Sequence, residues 1–561
     1  MIPGGGAAGG CMADRGSGID GGRIAARQLR AAGIDTVFGV VAGPMIEVLA
    51  GAQAEGLRVI GCRHELNAGF MASAWGYQKR RPGVVVVGSG PGMTNAVTPM
   101  YVATQSAMPL VVLGGSAFRP TRGLGAFQEA DQIAFAAPAC KWTGQVDSTE
   151  RVGEWVHLAL GKALAGRPGA VYLDFPGEVV ARRIPEEKAA LRARAPDVAR
   201  PYPDPAAITR VADWLAEAER PLLLVGKGAA WAEAGAALTR LADLGLPYVA
   251  SPMARGVVDD DHPGFVNAAR SKALAEADVV VMIGGRFNWI FGLGRRLAPG
   301  VRIAQIDVEA EEMTSGADVE LGVVADAAVA ADALASALEG RRLRPAAGAF
   351  RDALRAQGRR NEEAAARALA DDAVPINPYR LAAAVRDVVP RDAIVTSEGE
   401  TIMGICRTVL PSHRARACLN AGTTGCMGVG APYAVGAKLA CPERASVAVL
   451  GDYAFGAAAL VVETAARVGA SPVLVVADNE GIAGHMIQDH MLPPGSPPIA
   501  SLLPARYEKI AEMVDGHAAY VERPEQIRPA LERALAADRV AVVHVRVDPK
   551  ARRLGGSNYL Q

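Results

Sequence analysis

A chain of 561 residues is longer than a single hydrophobic core supports, so its length predicts about three domains. Half of the residues are hydrophobic, 21 % are charged, and the formal net charge is zero. This balance excludes an intrinsically disordered chain and lacks the basic excess that a nucleic-acid partner requires. We therefore expect a globular protein whose ligand is a small molecule.

Cysteine usage and the apolar segments predict a cytoplasmic protein with no membrane partner. The seven cysteines are scattered and form no Cys-x-x-Cys pair, which is typical of reduced thiols. Residues 1–19 lack the apolar stretch of a signal peptide and are expected to be a flexible tail. The uncharged run Pro82–Phe118 is long enough to span a bilayer, but its prolines and glycines predict buried α/β core instead.

Taken in chain order, short apolar runs bounded by glycine recur throughout the sequence. Such runs, separated by alanine-rich helical stretches, are typical of parallel strands that are covered on both faces. The predicted fold class is therefore α/β, with doubly wound parallel sheets. The predicted strands are Val84–Val87, Leu110–Leu113, Leu222–Val225, Val279–Ile283, Val447–Leu450, Val473–Val476 and Ala541–Val545.

Two charged, proline-bearing stretches, Arg183–Pro205 and Leu338–Pro375, interrupt this pattern. Their composition is typical of linkers, and we expect residues 346–371 to form a solvated helix between two domains. The C-terminal residues carry glycine and arginine, which suits either a lid over the site or a disordered tail. The predicted organisation is a tail at 1–19, three domains at 20–185, 205–340 and 375–550, and a C-terminal tail at 551–561.

The third segment carries the most specific chemical signal. Gly451-Asp452 follows one predicted strand, and the sequence DNEG at 478–481 follows the next. Parallel strands end at the same sheet edge, so the Asp452 carboxylate, the Asn479 amide oxygen and the Gly481 carbonyl are expected to converge. Such oxygen ligands suit Mg²⁺ shared with a diphosphate. Two ordinary strand-end turns would use the same residue types.

Two motifs in the first segment favour the metal site over the turns. Arg63-His64-Glu65 precedes a predicted helix, and the glycine-rich residues 88–92 follow a strand. Together with the Asp452 and Asn479 motifs, their order resembles the thiamine-diphosphate superfamily of acetolactate synthases, 2-hydroxyacyl-CoA lyases and oxalyl-CoA decarboxylases. The resemblance covers residues 20–550 and implies pyrimidine-binding, middle nucleotide-binding-like and pyrophosphate-binding domains.

The resemblance also implies roles for individual residues. Glu65 is expected to hydrogen-bond the aminopyrimidine ring of thiamine diphosphate, and Gly90 to let the backbone approach the cofactor. The Gly425 carbonyl is expected to accept from the cofactor's amino group, and Met427 to hold the cofactor bent. Contacts with the diphosphate and Mg²⁺ are expected from Tyr379, Glu400, Thr401, Ile402, Gly451, Asp452, Tyr453, Ala454, Asn479, Gly481 and Ile482, with Asp452, Asn479 and Gly481 as the metal ligands.

Tyr453 departs from the family pattern, because the superfamily usually has a small residue directly after the Gly-Asp pair. Either its ring turns away from the metal, or cofactor binding is altered. A non-catalytic CoA-binding paralogue with a decayed thiamine site is the alternative that this residue supports.

The middle segment resembles the lyases and oxalyl-CoA decarboxylases more than the acetolactate synthases. It contains GKGAA at 226–230, PMARGVV at 252–258 and GRFNWIF at 285–291. In that branch the middle domain accepts ADP or the nucleotide part of CoA. Lys227 and Arg286 are therefore candidates for phosphate contacts, Asp307 for a ribose contact, and Arg407 for a further contact with CoA. Ordinary surface charges at strand ends explain these residues equally well.

The residues around the reacting carbon favour a lyase. Oxalyl-CoA decarboxylases typically carry Tyr-Glu where this chain has Phe127-Gln128, and Gln128 adds no charge. The expected reaction cleaves a 2-hydroxyacyl-CoA to formyl-CoA and an aldehyde or ketone, with Glu65, Gln128 and His485 as catalytic candidates. His485 is the candidate base, although many loop histidines have no catalytic task. Ala483 replaces a common tyrosine, which predicts room for a branched acyl group.

Each site in this superfamily is built from two subunits, so the resemblance implies a homodimer at least and favours a homotetramer. Oxalyl-CoA decarboxylase and an acetolactate synthase-like enzyme remain the alternative activities.

Overall fold

The computed structural model describes residues 18–193 and 198–554. Within them, three separate sheets are parallel throughout, and a short antiparallel pair flanks the first sheet. All seven strands predicted from apolar runs are strands, because runs of β-branched and leucine residues fit a sheet that is buried on both faces. The predicted fold class of three parallel-sheet α/β domains is confirmed.

The first sheet has the strand order β3-β2-β4-β5-β7-β6. Alternate residues of each strand enter two different cores: Val85 and Val87 lie in one, and Val84 and Val86 in the other. The uncharged run at 82–118 forms two strands and two helices of this domain. The elements are β1 Ile19–Asp20, α1 Gly21–Ala31, β2 Thr36–Gly39, α2 Ile46–Ala54, β3 Arg58–Gly61, α3 Glu65–Lys79, β4 Gly83–Val87, α4 Pro91–Asn95, α5 Val97–Gln105, β5 Leu110–Ser116, α6 Gln132–Ala136, β6 Trp142–Gln145, α7 Val152–Leu164, β7 Ala170–Pro176, α8 Gly177–Ala181 and β8 Arg183–Ile184.

The middle sheet has the order β10-β9-β11-β12-β13 and also separates two cores. The predicted solvated helix after this domain is α14, which packs through Ala347, Phe350, Leu354 and Gly358 and is otherwise largely exposed. The elements are α9 Pro205–Glu217, β9 Pro221–Val225, α10 Lys227–Ala232, α11 Gly235–Asp243, β10 Tyr248–Ala250, α12 Arg270–Glu276, β11 Val279–Ile283, β12 Arg302–Asp307, β13 Leu321–Val324, α13 Ala327–Leu338 and α14 Pro345–Leu369.

The third sheet has the order β15-β14-β16-β17-β19-β18, so β16 and β17, which precede the predicted metal ligands, are neighbours. The elements are α15 Pro378–Val388, β14 Ile394–Glu398, α16 Glu400–Val409, β15 Cys418–Leu419, α17 Gly430–Ala440, β16 Ser446–Gly451, α18 Asp452–Gly456, α19 Val461–Arg467, β17 Val473–Asp478, α20 Met486–His490, α21 Lys509–Glu512, β18 His517–Val521, α22 Pro524–Ala536 and β19 Ala541–Arg546.

One hydrophobic core joins the first and third domains through α3 and α17. Phe70 and Tyr433 meet edge to face, with ring centroids 5.9 Å apart. Gly436 allows this approach, because a Cβ there would lie 2.2 Å from the Met71 carbonyl oxygen. The two domains that carry the cofactor motifs are therefore packed together directly. Among the helices of the described residues, none is long and apolar enough to cross a membrane.

Candidate active site

The three predicted metal ligands converge at the ends of β16 and β17. The Asp452 side chain is buried, and its Oδ2 accepts the Gly481 N–H at 2.8 Å. One terminal atom of the Asn479 amide lies 3.0 Å from Gly481 O and 3.3 Å from Asp452 Oδ1. Adjacent ligands of an octahedral Mg²⁺ ion are about 3 Å apart, since each Mg–O distance is about 2.1 Å. The spacing of these three atoms therefore fits the ion.

The orientation of the Asn479 amide bears on cation binding. The amide oxygen faces Gly481 O and Asp452 Oδ1, whereas in the reverse orientation the amide nitrogen would donate to both of these oxygens and the amide oxygen would accept from Gly484 N at 3.0 Å. A bound cation favours the first orientation, because three oxygens then face one positive charge. The donor set, a carboxylate, an amide and a carbonyl, is the set that Mg²⁺ prefers.

A buried hydrogen-bond network supports the metal loop, residues 478–481. His544 is fully buried and lies 2.9 Å from Asp478 Oδ2 through Nε2 and 2.9 Å from Glu508 Oε2 through Nδ1. Arg546 also donates to Asp478 at 3.0 Å. Burial raises the pKa of Asp452 well above its usual range, and the neighbouring Asp478 raises it further. The sequence analysis missed this network, because Glu508 and Asp478 are 36 and 66 positions away from His544.

The helix α16 places the next set of predicted contacts beside the metal loop. It starts directly after Gly399, which has a φ of 98°, and its first turn contains Glu400, Thr401 and Ile402. The free N–H groups of a helix N-terminus suit a diphosphate. Tyr379 is buried, and its hydroxyl accepts the Leu554 N–H at 2.9 Å. The described part of the C-terminal tail thus lies against Tyr379 and α16.

The cofactor loop, residues 422–430, contains the predicted contacts Gly425 and Met427. Gly425 has a φ of 60° and Gly428 a φ of 84°, conformations that favour glycine. Met427 is 47 % exposed, unlike an ordinary core methionine. The loop is attached to β14 by Glu398, which accepts the N–H groups of Gly428 and Gly430. We did not identify Glu398 from the sequence, although a glutamate that ends an apolar strand is an unusual feature.

Glu65 is the first residue of α3 and is 9 % exposed. Asn95 holds the carboxylate by donating to Oε2 at 3.0 Å. Gly92 passes close by, since a Cβ there would lie 3.3 Å from Glu65 Oε1. The structure therefore brings the two predicted motifs of the first domain together and adds Asn95, which the sequence analysis missed.

Gly90 and Gln128 are also neighbours. Gly90 has a φ of 54°, and a Cβ there would lie 2.7 Å from the Gln128 carbonyl oxygen. The Gln128 side chain accepts from Ser89 Oγ at 3.2 Å, and Gln132 accepts the Gly90 N–H at 2.6 Å. Gln128 thus faces the glycine-rich loop.

His485 lines a cavity of about 370 Å³ together with Glu400, Thr401 and Ala483. Its Nε2 lies 3.0 Å from Glu480 Oε2, and Glu480 also pairs with Arg546 at 2.6 Å. The remaining cavity wall is formed by α20 and the tail, through Met486, Asp489, His490, Pro549, Lys550, Ala551, Arg552 and Arg553.

The residues after the metal ligands differ in exposure. Ala454 is buried, whereas the Tyr453 side chain is 36 % exposed and its backbone N–H donates to Asp452 Oδ1 at 2.7 Å. Ile482 lies directly after the metal loop and donates its N–H to Ala500 O at 3.0 Å. The Tyr453 side chain is therefore partly open to solvent, whereas the neighbouring Asp452 is buried.

The predicted nucleotide contacts lie at the junction of the first and middle domains. The Lys227 ammonium donates to Ala107 O at 2.7 Å and lies 4.2 Å from the centre of the Tyr77 ring. Burial, together with the nearby guanidinium groups, lowers its pKa well below the usual range. Arg286 donates to Gln105 O at 2.8 Å. Each of the two side chains thus donates to a backbone carbonyl of the first domain.

Asp307 and Arg167 belong to the same junction. Burial raises the pKa of Asp307 to about 6, and its carboxylate accepts the Glu309 N–H. Arg167, which the sequence analysis missed, pairs with Glu312 at 3.2 Å, and Arg286 pairs with the same carboxylate at 3.5 Å.

Arg407 lies on α16 and lines a second cavity with Arg255 and His413. The nearby Arg270 stacks on Phe291, with its guanidinium carbon 4.8 Å from the ring centre. Burial, together with the charges of Arg407 and Arg296, lowers the pKa of Arg270 to about 10. Such a concentration of positive charge suits a phosphate ligand.

The geometry agrees with comparisons to known proteins. Family models of the thiamine pyrophosphate enzymes match the N-terminal TPP-binding domain at residues 19–135, the central domain at 208–334 and the C-terminal TPP-binding domain at 399–545. The chain therefore belongs to the thiamine pyrophosphate enzymes, which confirms the expected cofactor.

Several full-length relatives carry different names. The chain is 35 % identical to a 2-hydroxyacyl-CoA lyase from rice, over 95 % of this chain and 96 % of the relative. It is 32 % identical to an oxalyl-CoA decarboxylase from Escherichia coli, over 96 % and 97 %. It is 34 % identical to an acetolactate synthase large subunit from Mycobacterium tuberculosis, over 94 % and 96 %. Identity alone does not separate these activities.

Proposed function

We propose that this enzyme is a lyase that cleaves a 2-hydroxyacyl-CoA to formyl-CoA and an aldehyde or ketone. The observation that carries the proposal is His485, which lines the cavity of about 370 Å³ beside α16 and lies 3.0 Å from Glu480 Oε2 through its Nε2. The lyase reaction needs a base for a hydroxyl proton, and decarboxylation of an oxalyl group does not. The rice relative has the name of such a lyase.

Thiamine diphosphate, when bound, supplies a nucleophilic carbon that attacks the thioester carbonyl and accepts electrons as the carbon–carbon bond breaks. The chain contributes Glu65 to hold a proton against the aminopyrimidine ring, and Asn95 keeps that carboxyl in place at 3.0 Å. Asp452, Asn479 and Gly481 would hold Mg²⁺ between the protein and the diphosphate, which the N-terminus of α16 would receive.

His485 is proposed as the base that takes the proton from the 2-hydroxyl group. The hydrogen bond between His485 Nε2 and Glu480 fixes the ring, as a carboxylate does in other histidine bases. The hydroxyl oxygen becomes the carbonyl oxygen of the released aldehyde or ketone, and the proton ends on the formyl carbon. Gln128, beside the glycine-rich loop, would orient the thioester without adding charge.

Ala483 and the cavity volume support a branched or bulky acyl group. A methyl side chain leaves open the space that a tyrosine ring would fill, and about 370 Å³ is within the usual range for small-ligand pockets. Arg407 is proposed to contact CoA together with Arg270. Lys227, Arg286 and Asp307 are proposed to bind ADP or CoA if the domain junction opens.

A second copy of the chain is proposed to complete each site. Met427, Ile499 and Leu503, which lie in loops of the third domain, are 47 %, 75 % and 88 % exposed. Apolar side chains this exposed are typical of surfaces that another subunit covers. A homodimer is the minimum assembly, and a homotetramer is the proposed state.

Formyl-CoA release from a panel of linear and branched 2-hydroxyacyl-CoA thioesters tests the function. We expect formyl-CoA together with the matching aldehyde or ketone, and a fall in kcat of about 100-fold or more for His485→Ala, the usual size of a base contribution. Asp489→Asn, on the same cavity wall, is the matched control with nearly normal kcat. Unchanged turnover in His485→Ala would remove the histidine from the reaction.

Oxalyl-CoA decarboxylase is the second candidate, supported by the full-length similarity to the enzyme from Escherichia coli. Offering oxalyl-CoA in the same panel separates the two activities. If CO₂ from oxalyl-CoA is the dominant product, the decarboxylase assignment replaces the lyase.

A further inference from the structure

Glu398 is a buried carboxylate that the reaction described above does not use. It is the last residue of β14 and is 3 % exposed. Its Oε1 accepts the Gly428 N–H, and its Oε2 accepts the Gly430 N–H. Both oxygens therefore point at the end of the cofactor loop.

These two bonds replace a missing helix cap. Gly430 is the first residue of α17, and Val429, at the N-cap position, provides no side-chain hydrogen bond. The first N–H groups of a helix have no internal acceptors and favour a negative charge. Glu398 supplies that charge from a different strand and so attaches the start of α17 to the sheet.

The attachment matters because glycine makes the loop deformable. Gly425 and Gly428 have positive φ angles, and Met427 between them is 47 % exposed. Glycine in such positions keeps more conformational freedom in an unrestrained chain than any other residue. Gly428, which donates to Glu398, directly follows Met427. This hydrogen bond therefore restrains the part of the loop that the cofactor would contact.

We propose that Glu398 is a positioning residue that holds the cofactor loop in the shape required to bind thiamine diphosphate. The inference rests on the proposed role of Gly425 and Met427 as cofactor contacts. Glu398 acts through the loop backbone and does not itself touch the reacting atoms.

The burial of Glu398 makes this restraint sensitive to pH. Burial raises the pKa of Glu398, and the hydrogen bonds that it accepts from backbone N–H groups lower it, with a result of about 7. Protonation converts one acceptor oxygen into a donor that faces an N–H group, so one of the two bonds is lost. The restraint is therefore complete above pH 7 and weakened below it.

The nearest titratable side chains to Glu398 stay neutral in that range. Burial raises the pKa of Cys426, in the cofactor loop, to about 11 and that of Tyr433, on α17, still further, so both stay neutral. Apolar side chains lie beside the neighbouring glycines: a Cβ on Gly430 would lie 2.3 Å from Leu450 Cδ2 on β16, and one on Gly399 would lie 3.4 Å from Ile402 Cγ2 on α16. The nearest further acids along these elements are Asp452, two residues beyond Leu450, and Glu400, the first residue of α16.

The test is the dissociation constant of thiamine diphosphate with excess Mg²⁺, measured by isothermal titration calorimetry between pH 6 and pH 8. We expect Glu398→Gln to weaken binding about tenfold at pH 8, the size of one lost charge-assisted hydrogen bond. At pH 6 the wild type should approach the variant. Ionisation of the cofactor and of Asp452 affects both proteins, so the difference between their profiles belongs to Glu398.

Asp326→Asn is the matched control. Asp326 caps α13 in the middle domain by accepting the N–H groups of Ala328 at 2.9 Å and Val329 at 3.1 Å. This control should lower the unfolding temperature and leave cofactor affinity and its pH profile like those of the wild type. Equal affinities, or parallel pH profiles, for the wild type and Glu398→Gln overturn the inference.

Hydrogen exchange keeps the inference testable if Glu398→Gln does not fold. In the wild type, the amides of Gly428 and Gly430 should lose protection at pH 6 relative to pH 8, after correction for intrinsic exchange rates, and unchanged protection contradicts the restraint. A wild type that binds no thiamine diphosphate would instead remove the proposed function itself.

Discussion

Replacing Arg255 by methionine should destabilise the contact between the middle and third domains in a pH-dependent way. Arg255 and Asp260 form an ion pair at 2.5 Å, with side chains 8 % and 3 % exposed. The Arg255 guanidinium also donates to the carbonyls of Arg407 at 2.8 Å and Leu410 at 2.7 Å, at the C-terminal end of α16. The variant leaves a buried carboxylate whose remaining donor is the Ser412 N–H at 2.8 Å.

The size of the effect follows from what Asp260 can do in the variant. Removing one partner of a buried ion pair costs about 3–5 kcal/mol. Asp260 can take up a proton instead of staying charged, which limits the cost of burying its unpaired carboxylate. At pH 7 this limit is about 4 kcal/mol, because the ordinary pKa of Asp260 is 3.8 and each pH unit above it corresponds to about 1.4 kcal/mol. At pH 5 the same limit falls to about 1.6 kcal/mol. The loss of stability should therefore shrink as the pH falls.

Urea denaturation followed by tryptophan fluorescence at pH 5 and pH 7 measures this difference. Asp260→Asn is the companion variant: it leaves Arg255, which stays charged throughout, and it removes a carboxyl whose pKa burial raises, so its loss of stability should not shrink as the pH falls from 7 to 5. The double variant Arg255→Met with Asp260→Asn should lose less than the sum of the single losses. A loss for Arg255→Met that is equal at pH 5 and pH 7 refutes the reasoning.

Three further predictions concern the site. Asn479→Ala should abolish the rise in unfolding temperature that thiamine diphosphate with Mg²⁺ gives the wild type, whereas calorimetry showing full binding would exclude Asn479 as a metal ligand. Ala483→Tyr should lower kcat/KM for branched acyl-CoA thioesters at least about tenfold and leave that for linear ones nearly unchanged, because a tyrosine ring would fill the cavity. An equal loss for branched and linear thioesters counts against steric selection at residue 483. His544→Leu should destabilise the fold by about 3–5 kcal/mol, because Asp478 and Glu508 lose their shared partner. The same variant should weaken Mg²⁺ binding by about 10–100-fold in calorimetric titration, and an unchanged Mg²⁺ affinity would show that the network does not support the metal loop.

The sequence by itself predicted features that depend on short stretches of chain. Apolar runs such as Val279–Ile283 became strands, because local composition decides whether a segment suits a buried parallel sheet. Asp452 and Asn479 could be placed together without a structure, because strands in a parallel sheet end at the same edge. The fold class and the proposed metal ligands therefore depend largely on short stretches of the sequence.

Only the tertiary structure showed which partner each buried polar group has. Asn95 meets Glu65 from 30 positions away, Glu398 caps a helix that begins 32 positions later, and Arg255 binds carbonyls more than 150 positions away. Lys227, a phosphate candidate from its place after a strand, donates to a carbonyl 120 positions earlier. Burial makes such a partner obligatory, but the packing of the domains decides which residue it is, and no short-range pattern encodes that packing.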